Sequence, residues 1–255
     1  NEILSILTPT KKLPLNKHFA ELKCNYRSVA SIVGLSNLIQ LWRKFLFNYS
    51  EIKPQQARKF SQFVPQKFII GQNISIAAIQ TLLKDTLILI PWDDGGERDF
   101  VLQDEILGKF LTEENQGEIP WNILSTTSAK GLEFKQVILY KFGECCPRGL
   151  WQLKTEPKEE EKYFLNKLYV AISRATERLF IIDSPRGEEK LWQYASDRNF
   201  LEEFLNLIEH SETKIEWQQQ IQLVEVGINP QIIATDDLES LAQTWSEHCK
   251  HKIFN

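Results

Sequence analysis

Two arginines lie at positions where a phosphate-binding side chain is expected. Arg27 follows a stretch that predicts a short strand over residues 19–25, and Arg174 lies near the end of a predicted helix, just before another predicted strand. Arginine stays charged, and its planar guanidinium carries N–H donors that match phosphate oxygens. Junctions between strands and helices can place such side chains at a ligand cleft in an open α/β sheet. Each arginine, taken alone, could instead form a surface salt bridge.

A polar, glycine-containing segment lies between two further predicted strands. Residues 125–134 read STTSAKGLEF, and the apolar run QVILY follows at once. Gly131 lets the backbone turn and approach a ligand closely. The segment is therefore a second candidate for ligand contact.

Apolar runs and helical repeats alternate around these residues. Runs that are apolar throughout suit buried parallel strands, and their alternation with helices predicts a parallel sheet with helices on its faces. Residues 48–66 are polar and predict a surface loop. The predicted strands are 68–70, 86–90, 122–125, 136–142 and 179–182, and the predicted helices are 28–47, 75–84, 100–111 and 159–175.

The tail of the chain breaks this alternation. Residues 186–255 predict two or three helices and a short extended segment near 221–226, which divides the chain into a domain over 1–185 and a small helical extension over 186–255. Large apolar residues recur at near-helical spacing in the first part of the tail: Leu191, Trp192, Phe200, Phe204, Leu205 and Leu207. We expect residues 186–209 to pack on the domain and 235–255 to make fewer contacts with it.

Composition sets limits on the class of protein. Of the 255 residues, 42% are hydrophobic and 25% are charged, which is the balance of an ordinary globular protein with a core. The formal net charge of −4 argues against a chain that is basic throughout, although a local basic groove can still bind nucleic acid. No membrane span and no signal peptide are predicted.

Cysteine usage favours a reducing compartment. Two of the four cysteines, Cys145 and Cys146, are adjacent, which is poor geometry for a disulfide framework. We expect an intracellular protein, cytoplasmic or, in a eukaryote, nuclear. The spacing of this pair from Cys249 and its neighbouring histidines does not match the common zinc sites, so no metal site is predicted.

Three segments in order resemble the motifs IV, V and VI of the UvrD/Rep-type superfamily 1 helicases. They are NYRS at 25–28, STTSAKGLEF at 125–134 and KLYVAISRAT at 167–176. The four-residue match is weak alone, whereas AKGLEF followed by YVAISRA about 40 residues later is specific. The resemblance covers residues 19–184 and implies a RecA-like, mostly parallel sheet with helices on both faces: the second motor domain of such a helicase.

The resemblance also implies roles in binding ATP. Arg27 and Arg174 would reach the γ-phosphate, with Arg174 acting as an arginine finger. Tyr26 would stack on the adenine, Gly131 would allow close approach, and Glu133 would contact the ribose. Tyr26 could instead anchor the turn against the core, and Glu133 could instead cap a helix or loop.

Single-stranded nucleic acid is the second ligand that the resemblance implies, and the AKGLEF pattern favours DNA over RNA. The candidate backbone contacts are Thr126, Thr127, Ser128 and Lys130. The family usually has histidine where this chain has Thr127. Threonine can still bond a phosphate, but it can neither stack on a base nor carry charge.

The chain lacks a GxxxxGK[ST] P-loop and an acidic Mg²⁺-binding motif. ATP with Mg²⁺ would therefore be held mainly by a preceding N-terminal RecA-like domain, and this chain alone would not hydrolyse ATP. The main alternative is a degenerate helicase-like domain that binds nucleic acid or protein without ATPase activity. Thr127 and the short spacing between Arg27 and Lys130 favour that alternative, and the two arginines oppose it. An RNA-type superfamily 1 helicase is a further alternative.

Overall fold

A parallel sheet organises the chain in the computed structural model, which describes residues 24–84, 86–110, 119–152 and 158–228. The strands are β1 (Cys24–Val29), β2 (Gln56–Lys59), β3 (Gln66–Ile69), β4 (Leu87–Ile90), β5 (Ile123–Ser125), β6 (Phe134–Tyr140), β7 (Ala175–Asp183) and β8 (Glu225–Val226). The helices are α1 (Ala30–Leu46), α2 (Ile76–Lys84), α3 (Glu97–Gln103), α4 (Glu159–Ile172), α5 (Pro185–Gly187), α6 (Gln193–Ser196), α7 (Arg198–Asn206) and α8 (Ser211–Gln219). A π-helical turn, Glu188–Trp192, joins α5 to α6.

Within the described ranges the main sheet has six strands in the order β5-β4-β6-β7-β3-β8, and every pair is parallel. The predicted α/β class and mostly parallel sheet are confirmed. Because the strands are parallel, they share two edges. We call the edge where β6 and β7 begin the amino edge and the edge where β5 and β7 end the carboxyl edge.

Side chains of β6 alternate between two hydrophobic clusters, as a strand with period 2 requires. Val137 and Leu139 join the cluster formed with α1 and α4. Ile138 and Tyr140 join the cluster formed with α2 and α3. Helices therefore cover both faces of the sheet, as predicted.

The strand nearest the amino terminus differs from its prediction. β1 spans Cys24–Val29, so Arg27 lies within the strand and not after it, while residues 19–23 lie outside the described residues. The predicted loop 48–66 contains β2, which pairs in parallel with β1. The sequence of β2, QARK, has no apolar alternation to signal a strand. The Ser28 hydroxyl donates to the Ala175 carbonyl at 2.8 Å and so links β1 to β7.

Two predicted helices end earlier than expected. α3 ends at Gln103 because Asp104 accepts hydrogen bonds from the amides of Ile106 and Leu107, a local contact that competes with helix continuation. α4 ends at Ile172, and the chain turns into β7 by Ala175.

The first part of the tail packs on the sheet domain. Leu191, Trp192, Phe204 and Leu205 lie in the same cluster as Trp42 of α1, and β8 pairs with β3 at the edge of the main sheet. This is the packing that the apolar spacing of residues 186–209 predicts. The expectation for residues 235–255 falls outside the described residues.

The described helices are all too short or too polar to cross a lipid bilayer. Within the same ranges, no group of three or more His, Cys, Asp or Glu side chains is arranged to hold a metal ion.

Candidate functional site

Three residues from the three motifs meet at the amino edge. Arg27 Nη1 lies 3.1 Å from Glu133 Oε1, although 106 residues separate them in the chain. Arg174 lies beside this pair, since its carbonyl accepts from the amide of Phe134, the residue after Glu133, at 2.9 Å. Burial lowers the pKa of Arg174 most and Arg27 lowers it further, while Glu133 opposes them. We call Arg27, Glu133 and Arg174 the arginine cluster.

The guanidinium of Arg174 is held by three hydrogen bonds. Nε donates to the Val170 carbonyl, Nη1 to the Leu132 carbonyl and Nη2 to the Ser173 hydroxyl, each at 3.1 Å. Arg174 is only 9% exposed, whereas the side chains of Arg27 and Glu133 are 34% and 51% exposed. Arg174 is therefore the buried member of the cluster, and the other two residues are partly exposed.

The arginine cluster lies at the amino edge because Glu133 immediately precedes β6 and Arg174 immediately precedes β7. Ligand clefts in open α/β sheets usually lie at the carboxyl edge, so this general rule does not account for the position of the cluster. The prediction that the three residues converge rested on the order of the motifs in the chain and not on sheet geometry.

Tyr26 and Gly131 flank the cluster. Tyr26 is 65% exposed, so its ring does not anchor the turn in the core. Gly131 has φ of +88°, and a Cβ there would meet no atom within 4 Å. Glycine is therefore favoured at this turn by backbone conformation and not by lack of space.

β2 contributes cationic residues beside β1. Lys59 Nζ donates to the Arg27 carbonyl at 3.0 Å. A hydrogen bond to Cys24, followed by electrostatic interaction with Cys24 and Tyr26, raises the pKa of Arg58. Sequence patterns missed both residues because they missed the strand that carries them.

The four candidate nucleic-acid contacts follow β5 in the chain, and Thr126 and Ser128 lie at the carboxyl edge, where β4 ends. Thr126 is buried and donates to the Ile90 carbonyl at 3.3 Å. Ser128 is buried as well, while Thr127 and Lys130 are exposed. The predicted site residues thus fall into two groups. Residues 126–133 connect them, because the chain must cross from the carboxyl edge to the amino edge before β6 begins.

Carboxylates cover Ser128. Its hydroxyl lies 2.6 Å from Asp94 Oδ1 and 2.8 Å from Glu97 Oε1. Glu97 also accepts from the amides of Gly95 at 2.7 Å and Ser125 at 3.3 Å. Burial would raise the pKa of Glu97, but these donors hold the charged form and lower its pKa overall. We call Asp94 and Glu97 the carboxylate cap.

Lys167 belongs to neither group. Its ammonium pairs with Asp93 at 2.7 Å, and Tyr163 donates to the same carboxylate at 2.6 Å. Lys167 is seven residues before Arg174, but these contacts direct its ammonium to Asp93 and not to the arginine cluster.

Comparisons with known proteins bear on residues 101–185, which match the family model of the UvrD-like helicase C-terminal domain. No curated protein matches the sequence. One similar solved structure is the C-terminal domain of a possible DNA helicase from Lactobacillus plantarum WCFS1, with 19% identity, coverage of 65% of this chain and 94% of that chain, and a TM-score of 0.34. That TM-score is low, so the fold assignment rests on the sheet topology. The family match contains the second and third motif segments, and it confirms that this part of the chain resembles the UvrD-like helicase C-terminal domain.

Proposed function

We propose that the chain is the second motor domain of an ATP-dependent superfamily 1 helicase or translocase. An N-terminal RecA-like domain would bind ATP with Mg²⁺, and this chain would close over it and move along a single strand, DNA rather than RNA. The proposal places the protein inside the cell. It rests on the family match at residues 101–185 and above all on the arginine cluster.

The arginine cluster fits a polyphosphate. Two guanidiniums lie near one carboxylate, so the group has excess positive charge. Arg27 Nε is also buried without a hydrogen-bond partner among the described residues, and a buried donor of this kind needs an acceptor. Phosphate oxygens would accept a hydrogen bond from Arg27 Nε. Their negative charge would also offset the repulsion between the two guanidiniums. Fixed positive charge at the γ-phosphate is what phosphoryl transfer requires of this side of the site.

The segment 126–133 would connect nucleic-acid contact to the arginine cluster. Thr126, Thr127, Ser128 and Lys130 would contact the strand backbone. β6 has seven residues, so the two edges lie roughly 20 Å apart at about 3.3 Å per residue. Movement at Ser128 would reach Arg174 through the Leu132 carbonyl, which accepts from its guanidinium.

The test is a strand-displacement assay with a protein that contains both the P-loop domain and this chain. We expect hydrolysis of ATP to be stimulated by single-stranded DNA, and labelled strands to be displaced from tailed duplexes only when ATP is present. Strand binding without any stimulated hydrolysis would contradict the proposal.

The carboxylate cap favours a second candidate function, the degenerate binding module. Its two carboxylates occupy acceptor positions beside the Ser128 hydroxyl and the Ser125 amide, which a phosphate would otherwise use. A strand approaching this edge would meet negative charge. In this alternative the domain no longer binds the single strand of nucleic acid at Ser128, and it binds other ligands without hydrolysing ATP.

Neutralising the cap should strengthen strand binding if the strand passes Ser128. A unit charge about 4 Å away contributes roughly 1 kcal/mol in water, so Glu97→Gln should raise affinity for a fluorescent oligothymidylate roughly fivefold at low salt. Asp99→Asn removes one charge from an exposed position of the same helix without touching Ser128 and should change affinity much less. Equal effects of the two variants would show that the strand does not contact Ser128.

A further inference from the structure

Ser173 lies in the turn between α4 and β7, directly before Arg174, and its hydroxyl has two partners. It donates to the Val170 carbonyl at 2.8 Å and accepts from Arg174 Nη2 at 3.1 Å. Its donor is therefore committed to the last turn of α4, and its lone pair is directed to the guanidinium. The hydroxyl joins the end of a rigid helix to the charged group of Arg174.

The remaining donors of Arg174 show what this arrangement leaves free. A guanidinium has five N–H donors. Three are used, by Val170, Leu132 and Ser173. One N–H remains on each terminal nitrogen, which leaves a pair of donors on one planar group. Paired donors of this kind suit phosphate oxygens.

We propose that Ser173 is a positioning residue for Arg174. Its hydroxyl fixes Nη2, so that the guanidinium plane is set before a nucleotide arrives. This inference rests on the proposed function, because only a phosphoryl-transfer site needs Arg174 at a fixed angle. Without the hydroxyl, Nη2 loses its anchor and the plane can tilt about the two remaining bonds.

A merely structural role for Ser173 makes a different prediction. The bond from Ser173 to Val170 is a local contact at a helix end, and it would form without Arg174. If it were the only function of the hydroxyl, Ser173→Ala would lower stability slightly and leave the rate of ATP turnover unchanged. Preorganisation instead affects kcat more than KM, since it acts in the transition state.

The experiment compares Ser173→Ala, Ser173→Thr and Arg174→Ala in the protein that contains the P-loop domain. A displacement of about 1 Å can cost up to about 10²-fold in rate, so we expect Ser173→Ala to lower kcat about tenfold with KM almost unchanged. Ser173→Thr keeps the hydroxyl and should retain nearly full turnover. The thermal midpoint of Ser173→Ala should stay close to that of the unmodified protein.

A second readout does not depend on activity. In ¹⁵N-edited spectra of the 255-residue chain, the guanidinium N–H signals of Arg174, assigned by their loss in Arg174→Ala, should exchange with water faster in Ser173→Ala than in Ser173→Thr. Unchanged exchange, or unchanged turnover in Ser173→Ala while Arg174→Ala is inactive, would overturn the role of Ser173 and leave the proposed function intact. Normal turnover in Arg174→Ala would overturn the proposed function itself.

Discussion

Arg174→Ala should lower strand-stimulated ATP turnover by roughly 10³–10⁵-fold in the protein that contains the P-loop domain, which is the usual contribution of an arginine finger. Arg174 supplies positive charge beside Arg27 and Glu133, and three hydrogen bonds hold its guanidinium in place. Nucleotide affinity should fall much less, because the P-loop domain would provide most of the binding contacts.

Two further variants distinguish the charge of Arg174 from its hydrogen-bonding geometry, and both from the nonspecific effect of removing an arginine. Arg174→Lys keeps the charge but cannot bond Val170, Leu132 and Ser173 together, so it should be nearly as impaired as Arg174→Ala. Arg198→Ala removes a charge from the exposed start of α7 and should leave turnover unchanged. Near-normal turnover in Arg174→Ala would show that this residue is not the finger.

Among the proposed substitutions, replacement of Asp183 should have the largest effect on the free energy of unfolding. It is fully buried at the end of β7. Its Oδ2 accepts from the Gly143 amide at 2.6 Å and from Trp192 Nε1 at 2.7 Å, and its Oδ1 accepts from the Ser184 amide at 2.9 Å. The residue therefore joins β7 to the loop after β6 and to the π-helical turn of the tail.

Asp183→Ala should lower the free energy of unfolding by about 2–4 kcal/mol, since it would leave buried N–H donors without an acceptor. Equilibrium urea unfolding of the chain measures this effect. Asp197→Ala is the matched control. Asp197 caps α7 by accepting from the Asn199 amide at 2.8 Å, and the loss of such a cap typically costs about 1 kcal/mol. A loss in Asp183→Ala no larger than the loss in Asp197→Ala would contradict the assigned contacts.

The same carboxyl predicts a pH dependence of stability. Burial raises the pKa of Asp183 to about 7, against the opposing effect of its N–H donors. The unfolded value is about 3.9, so between these values the folded chain holds a proton that the unfolded chain has released. Stability contributed by Asp183 should therefore fall as pH rises from about 4 to about 7 and then level off. The slope should be absent in Asp183→Asn, and an equal slope in both proteins would show that it arises elsewhere.

Much of the fold could be predicted from local sequence. The run LILI of β4 is buried on both faces, and it has the continuous apolar pattern of a central parallel strand. β2 could not be predicted, because its exposed sequence QARK follows no strand pattern and its strand arises from pairing with β1. Arg27 was misplaced because β1 extends to Val29, beyond the predicted end of that strand at residue 25.

The site could be predicted only in part. The meeting of Arg27, Glu133 and Arg174 followed from motif order. The burial of Arg174 could not be foreseen, because it depends on the carbonyl of Leu132, 42 residues away. The contact of Ser128 with Glu97 spans 31 residues, and no local pattern signals such a pair. Residues 93–99, which read DDGGERD, follow the buried strand β4. This acidic run was the one feature of the sequence that indicated a carboxylate at the carboxyl edge.

The most direct measurement is a structure of the protein containing the P-loop domain, bound to ADP and a planar fluoride mimic of the transferring phosphoryl group. We predict that N–H groups of both Arg27 and Arg174 lie within about 2.7–3.2 Å of the mimic or its bridging oxygen, the normal range for hydrogen bonds from nitrogen. Ser173 and Leu132 should still hold Arg174, and Arg27 should have shifted from Glu133 toward the phosphate. The account would be contradicted if the nucleotide were bound and the domains closed while both guanidiniums remained beyond hydrogen-bond distance of it.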